Sequence, residues 1–273
     1  MNEKTIDGNK MAYQLIEKIK EDIIELRKNG KEPHLSIIFI GNNPSSETYV
    51  RMKEKIAADI GIKIDVHRKI ICSEEDIIGL IEKLNNDDSV HGIMVQLPLP
   101  KNLNADKILE TISPQKDVDG LTSRSLSGIF LGNERFAPAT PKAIIYILEN
   151  ITSLEGKNVV IINHSNLIGK PLTMMLLNRN ATVDVCHEKT DNLSEHTKKA
   201  NILITATGVA GLIKNEMVKE GVIVIDVGAP KGDVDFDSVK EKASYITPVP
   251  GGVGPITIAM LIKNVIDVAK TRD

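Results

Sequence analysis

Apolar positions along the chain recur with two alternating periods. Ala12, Leu15, Ile16, Ile19, Ile23 and Leu26 fall at helical spacing, and Asn29-Gly30 supplies a stop. The next segment, LSIIFIG, is a continuous apolar run of strand length. SSETYVRMKEKIAADIG reads as a second helix, with Ser46 as its N-cap and Gly61 just past its end. Strand KIDVHR follows, and Ser73 to Asp76 resembles a capping box ahead of a helix containing Ile77, Leu80 and Leu84. A third strand, HGIMVQ, runs directly into LPLP.

Around Pro138 the pattern changes. FAPATPKAIIYILE breaks at Pro138 and restarts with Thr140 as N-cap and Pro141 at the first helical position, which marks a domain boundary. Beyond it NVVIIN, TVDVC, NILITATG and VIVIDVG are strand candidates separated by loops or helices, as a nucleotide-binding half-sheet requires. The last helix, PITIAMLIKNVIDVAK, is apolar over much of its circumference and either returns to the first lobe or bridges both. The expectation is an α/β fold of two lobes with mostly parallel sheets. Residues 1–138 plus 256–273 form an N-terminal α/β lobe and 139–255 a Rossmann-like lobe, with a cleft between them.

Composition narrows the function. Aromatic residues make up only 3% with no Trp, so the core rests on Ile, Val and Leu. A formal charge of -3, with basic and acidic residues interspersed, leaves no electrostatic footprint for nucleic acid. The opening MNEKTIDGNKM has no apolar h-region, and no apolar run approaches the ~18 residues that would suggest a membrane span. A cytoplasmic protein with no membrane partner is expected. Cys72 and Cys186 are far apart without ligand spacing around them, so both read as buried reduced thiols. His187 beside Cys186 does not make a metal site, and no metal is expected.

Five segments carry candidate chemistry. Tyr49 and Lys53 lie four apart on a helix and project from one face. Gln96 ends a strand, where ligands of open α/β sheets bind, and the prolines of LPLP stiffen the exit. PQKDVDGL places Asp117 and Asp119 in a loop beside Gly120, and YITPVPGGVGP is a rigid, glycine-rich segment opening a helix. VVIINHSNLIGKP has the look of a dinucleotide-binding turn that lacks its first glycine.

With SETYVRMK, VHGIMVQLPLP, KDVDGL, PATP, the Gly169 loop, ATVDVCHEKT and TPVPGGVGPITIAML in order, the chain resembles the bifunctional methylenetetrahydrofolate dehydrogenase/methenyltetrahydrofolate cyclohydrolase family over nearly its full length. The resemblance implies oxidation of 5,10-methylenetetrahydrofolate with a nicotinamide cofactor, then hydrolysis of the methenyl cation to 10-formyltetrahydrofolate. It makes the first lobe the folate and catalytic domain and implies a homodimer through the nucleotide-binding lobe. Lys53 is then the catalytic lysine, Gln96 its hydrogen-bond partner, Tyr49 the ring against the folate and Asp119 the pterin anchor. Leu97, Pro98, Pro250, Gly251 and Gly252 complete the substrate contacts, and a cis peptide is expected before Pro98 or Pro250. The cofactor residues implied are Asn163, His164, Ser165, Ile168, Gly169, Pro171, His187, Glu188, Lys189, Thr207, Gly208 and Gly228. Alternatives are a monofunctional dehydrogenase or cyclohydrolase, or a non-catalytic nucleotide sensor; the sensor would not need Tyr49, Lys53, Gln96 and Asp119 together.

The departures from the family are informative. Ser125 and Ser127 stand where Asn and Gly are common and read as peripheral to the chemistry, and Ala139 replaces a Cys. Asn163 replaces a glycine and is expected to keep the turn, because Asn tolerates a left-handed backbone. His164 replaces an Arg that would pair with the 2′-phosphate of NADP, and Glu188 replaces a Ser at a place where an acid favours the ribose hydroxyl of NAD. Lys189 offsets the acid. The balance falls narrowly to NADP, with NAD the alternative.

Overall fold

A computed structural model describes residues 4–271 of the chain. Its first helix, α1 (Gly8–Lys28), buries the stripe Ala12, Leu15, Ile19, Ile23 and Leu26. Every residue of β1 (His34–Ile40) is buried, the environment of a central strand covered on both faces. It pairs in parallel with β2 (Lys63–Lys69) on one side and β3 (Gly92–Val95) on the other. Parallel neighbours need crossovers. These are α2 (Pro44–Ile60) between β1 and β2, and α3 (Glu74–Asn85) between β2 and β3. Ile38, Ile40, Ile93 and Val95 pack with Ile77, Ile81 and Leu84 of α3 in one apolar cluster. Two short helices follow, α4 (Ala105–Glu110) and α5 (Ser123–Phe130).

The chain divides into two compact units. The first is chiefly Gln14–Gly128, with Arg135–Ala137 and the chain from Leu261 onward; the second is chiefly Pro138–Met260, with Ile129–Glu134 and the residues up to Tyr13. The second unit opens on α6 (Ala139–Glu149) and holds a five-stranded parallel sheet. Its strands are β4 (Asn158–Ile162), β5 (Thr182–Cys186), β6 (Ile202–Thr205), β7 (Ile223–Asp226) and β8 (Tyr245–Ile246), in the order β5-β4-β6-β7-β8. From β4 the chain steps outward to β5 and then returns to the other side at β6. The loops leaving β4 and β6 therefore diverge, and that reversal is where open α/β sheets bind ligands, outside the carboxyl ends of their strands. Helices α7 (Gly169–Leu177), α8 (Leu193–Thr197) and α9 (Phe236–Lys242) connect these strands. The last helix, α10 (Val253–Thr271), contributes to the second unit up to Met260 and to the first from Leu261.

Several local expectations hold and others shift. Gly61 caps α2 in the left-handed region, and Ser73 and Asp76 form the reciprocal capping box of α3. The N-cap of α2 is Asn43, whose side chain accepts from the Ser46 N–H at 3.0 Å, so Ser46 lies inside the first turn rather than capping it. Helix α6 starts at Ala139, not after Thr140, and its first bond runs from Lys142 N–H to the Pro138 carbonyl. Pro141 fits there because first-turn N–H groups have no intrahelical partner to lose. Strand β8 has only two residues and no legible period; it is held by β7 on one side and by a backbone bond from Ile6 to Ile246. Cys186 is buried as expected, whereas Cys72 is only partly so, and both are free thiols. No helix among the described residues is long and apolar enough to cross a membrane.

Candidate functional site

Helix α2 carries Tyr49 and Lys53 one turn apart, with different surroundings: Tyr49 is 39% exposed and Lys53 only 7%. Lys53 Nζ donates to Gln96 Oε1 at 2.8 Å. The amide of Gln96 is oriented by its other end, where Nε2 donates to the Leu97 carbonyl at 2.8 Å. Ser46 Oγ reaches the same carbonyl at 3.3 Å, so the first turn of α2 and the exit of β3 share one acceptor. The Leu97-Pro98 peptide is cis. Burial lowers the Lys53 ammonium to about 8, against the opposing pull of the Asp119 carboxylate. Asp119 moves the other way: burial raises it to about 6, Lys53 holds it back, and the Asp117 carboxylate adds to the rise.

The loop that presents Asp119 is fastened at every side. Ile93 N–H donates to the Lys116 carbonyl, which lays residues 116–117 along β3. Lys116 itself is fully buried, and its Nζ caps the carbonyls of Leu84 and Asp87 at 2.7 and 2.6 Å. Asp117 points into the loop. Its Oδ1 accepts from Gly120 and Leu121 N–H, and its Oδ2 from Thr122 N–H at 2.9 Å and Ser125 Oγ at 2.7 Å. Gly120 sits at φ +71°, in the left-handed region that favours glycine. Asn264 Nδ2 closes the set on the Val118 carbonyl at 2.8 Å.

In the second unit, the turn between β4 and α7 is organised by one side chain. Asn163 Oδ1 accepts from Ser165 N–H, Ser165 Oγ and Gly169 N–H at 2.7–2.9 Å, while its Nδ2 donates to Ala206 O across the strand reversal. Gly169 is obligatory, because a Cβ there would lie 1.9 Å from the Asn163 carbonyl oxygen. Asn163 is not among the residues with positive φ. The expected left-handed backbone is thus replaced by a side-chain clamp, with the same effect on the turn. At the mouth of this turn the His164 and His187 rings lie 4.8 Å apart. Glu188 is fully exposed; a hydrogen bond from its own N–H holds its carboxyl below the usual range, helped by His164, His187 and Lys189. The loops after β6 and β7 are tied by buried acids. Asp233 Oδ2 accepts from Thr205 Oγ1 and Thr207 N–H, and Asp226 accepts from the N–H groups of Gly228, Asp233 and Val234.

Two family models cover most of the chain: the tetrahydrofolate dehydrogenase/cyclohydrolase catalytic domain matches residues 6–119, and the NAD(P)-binding domain of the same family matches 138–273. The chain is 45% identical to a bifunctional protein FolD of Listeria innocua, with 97% of this chain and 96% of the relative covered. The crystal structure of a bifunctional FolD from Campylobacter jejuni superposes with a TM-score of 0.96 at 46% identity, covering 98% of this chain and 99% of that one. A Trypanosoma brucei enzyme complexed with NADP and an inhibitor gives 0.94 at 34% identity over 97% of each chain. The chain belongs to the tetrahydrofolate dehydrogenase/cyclohydrolase family. As a member it is an oxidoreductase and a hydrolase of one-carbon tetrahydrofolates, with a catalytic and an NAD(P)-binding domain.

Against that membership, Tyr49, Lys53, Gln96, Leu97, Pro98 and Asp119 all lie in the first unit, and Lys53 and Gln96 are in direct contact. Pro250, Gly251 and Gly252 belong to the second unit, after a second expected cis bond at Val249-Pro250. Asn163, His164, Ser165, Ile168, Gly169 and Pro171 line the β4 exit and the start of α7. His187, Glu188 and Lys189 follow β5, Thr207 and Gly208 follow β6, and Gly228 follows β7, so all face the carboxyl edge of one sheet. A third cis bond, Ala229-Pro230, was not anticipated. Ser125 is corrected outright: it is buried and bonded to Asp117, within the loop that holds Asp119, so it is not peripheral. Asp226 and Asp233 are positioning residues missed from the sequence, and Asp117, noted there only as a neighbour of Asp119, holds the loop that carries it. The only signal was the presence of paired acids beside glycines, a pattern shared by ordinary turns.

Proposed function

We propose that this chain oxidises 5,10-methylenetetrahydrofolate and hydrolyses the methenyl product, with Lys53 as the group that moves the proton. The observation that carries the reading is the buried Lys53–Gln96 pair with an ammonium lowered to about 8. The methenyl product is a cation, which disfavours a neighbouring positive charge and favours neutral Nζ. Gln96 Oε1 accepts a hydrogen bond from Nζ without adding the negative charge a carboxylate would bring, and in the amine form the nitrogen lone pair stays free. Nζ then takes a proton from the water that attacks the methenyl carbon. Asp119, ionised above about 6, accepts from the pterin N–H and amino donors and fixes the ring by charge-assisted bonds. Tyr49 supplies the flat face on which the folate rests.

A bound nicotinamide dinucleotide supplies the hydride acceptor. The strand reversal at β4, the glycine opening α7 and the polar rim of His164, His187 and Lys189 fit such a group. NADP is the preferred form in this reading. Glu188 alone would favour the ribose hydroxyls of NAD, but its carboxylate is already in the field of three basic side chains. The homodimer reading draws support from the second unit, where exposed Phe130 and Leu131 form an apolar edge.

Incubating the chain with methylenetetrahydrofolate and either dinucleotide tests the assignment. Methenyl absorbance should rise and then fall, with the higher kcat/KM for NADP. No rise with either dinucleotide would refute the catalytic reading, and a higher kcat/KM for NAD would refute the cofactor preference.

A further inference from the structure

Three ligating side chains meet on one face of β5. Asp184 and Cys186 are two residues apart on the strand and project the same way, and α8 carries His196 against them. His196 Nδ1 bonds Asp184 Oδ2 at 2.5 Å. A carboxylate oxygen of Asp184, Cys186 Sγ and a ring nitrogen of His196 all lie within 4.8 Å of one another, the single grouping of this kind among the described residues. Cys186 closes the inner side, while the side chains of Asp184 and His196 are 47% and 35% exposed, so an ion has a way in.

We propose that Asp184, Cys186 and His196 form a zinc site with a fourth position open to water. One sulfur, one imidazole nitrogen and one carboxylate oxygen are a ligand set for a borderline ion; Mg²⁺ and Ca²⁺ prefer all-oxygen shells. Zinc bonds of about 2.0–2.3 Å put tetrahedral ligand atoms roughly 3.3–3.7 Å apart. The Asp184–His196 contact at 2.5 Å is shorter than that, and no pair of the three is more than 4.8 Å apart. An entering ion replaces the Asp184–His196 hydrogen bond by two metal bonds and draws Sγ inward. The thiol S–H breaks, its electron pair goes to the metal, and the proton leaves to solvent; the His196 proton now facing Asp184 moves to Nε2, which frees the Nδ1 pair.

Such an ion would clamp α8 to the end of β5, where the turn His187–Thr190 begins. Asp184 and Cys186 meet His196 only through the fold, so no local spacing marks the three as a group. Asp184, Cys186 and His196 are separate from the residues assigned to catalysis.

The full chain, stripped with chelator and kept reduced, is titrated with Co²⁺ alone and then with Zn²⁺ against a chromophoric chelator. One equivalent of Co²⁺ should bind with a near-ultraviolet thiolate-to-cobalt charge-transfer band, and Zn²⁺ should displace it. Cys186→Ser should abolish the band and Cys72→Ser should leave it intact. Asp184→Asn, at a half-exposed position, should weaken binding by about tenfold or more while circular dichroism stays that of wild type. Absence of the band in the wild type, its survival in Cys186→Ser, or unchanged affinity in Asp184→Asn would overturn the site.

Discussion

Lys53 Nζ and Gln96 Oε1 stand 2.8 Å apart, and the same amide is anchored at its other end on the Leu97 carbonyl. A lysine held this way keeps a hydrogen-bond partner in both protonation states. Its partner contributes no negative charge, so burial dominates and the amine form is within reach near neutrality.

This sets a pH profile with two limbs. Neutral Lys53 becomes the major form as pH rises through about 8, so the hydrolysis rate at saturating methenyltetrahydrofolate should climb toward a plateau above that point. Folate affinity should fall as pH drops through about 6, where Asp119 takes a proton and loses its acceptor role. Rate and KM measured from pH 5 to pH 9.5 check both limbs, after correction for hydrolysis in buffer. A hydrolysis rate flat across pH 7–9 would exclude Lys53 as the base.

Asp119→Asn separates binding from folding. The carboxyl is raised because burial disfavours its charge, so in the folded state it holds its proton to a higher pH than in the unfolded chain. Stability tied to this group is therefore lost as pH rises from about 4 to about 6. The amide should weaken folate binding and slow both reactions while leaving Tm at neutral pH equal to or above wild type. A lowered Tm with unchanged kinetics would reverse the assignment.

Ser125→Ala removes one of four donors to the buried Asp117 carboxylate. A stability loss of about 1–3 kcal/mol is expected in denaturant unfolding. Because Asp117 fixes the loop that carries Asp119, the KM for folate should rise more than kcat falls. Kinetics matching wild type would mean that the loop holds without it.

Glu188→Ser should raise the ratio of kcat/KM for NADP over NAD, since it removes the negative charge beside the His164, His187 and Lys189 side chains. His164→Ala should lower the same ratio. Opposite movements of the two variants are the signature to look for; parallel movements would place the 2′-phosphate elsewhere.

Much of this was legible from side-chain pattern. The buried runs of β1, β4, β6 and β7 announced parallel strands, and the chain order of Lys53, Gln96 and Asp119 was readable from local motifs. What escaped were features made by long-range contacts. Strand β8 is too short to carry a period and exists because β7 and the N-terminal residues offer it partners. Asn163 reads as a backbone substitute for glycine, yet it works through its amide, which holds Ser165 and Gly169 at one end and Ala206 at the other. Ser125 reads as peripheral to the chemistry because nothing local points it at Asp117, eight positions earlier in the chain.

The most direct measurement follows methenyltetrahydrofolate absorbance over time with wild type and Lys53→Met. Wild type should clear the methenyl form rapidly. Removal of the proton acceptor should slow the enzymatic decay by about 10²–10⁴-fold, the usual contribution of general acid–base catalysis, leaving it close to the rate in buffer, with circular dichroism unchanged. Decay by a folded Lys53→Met variant at near the wild-type rate would contradict the role assigned to this lysine.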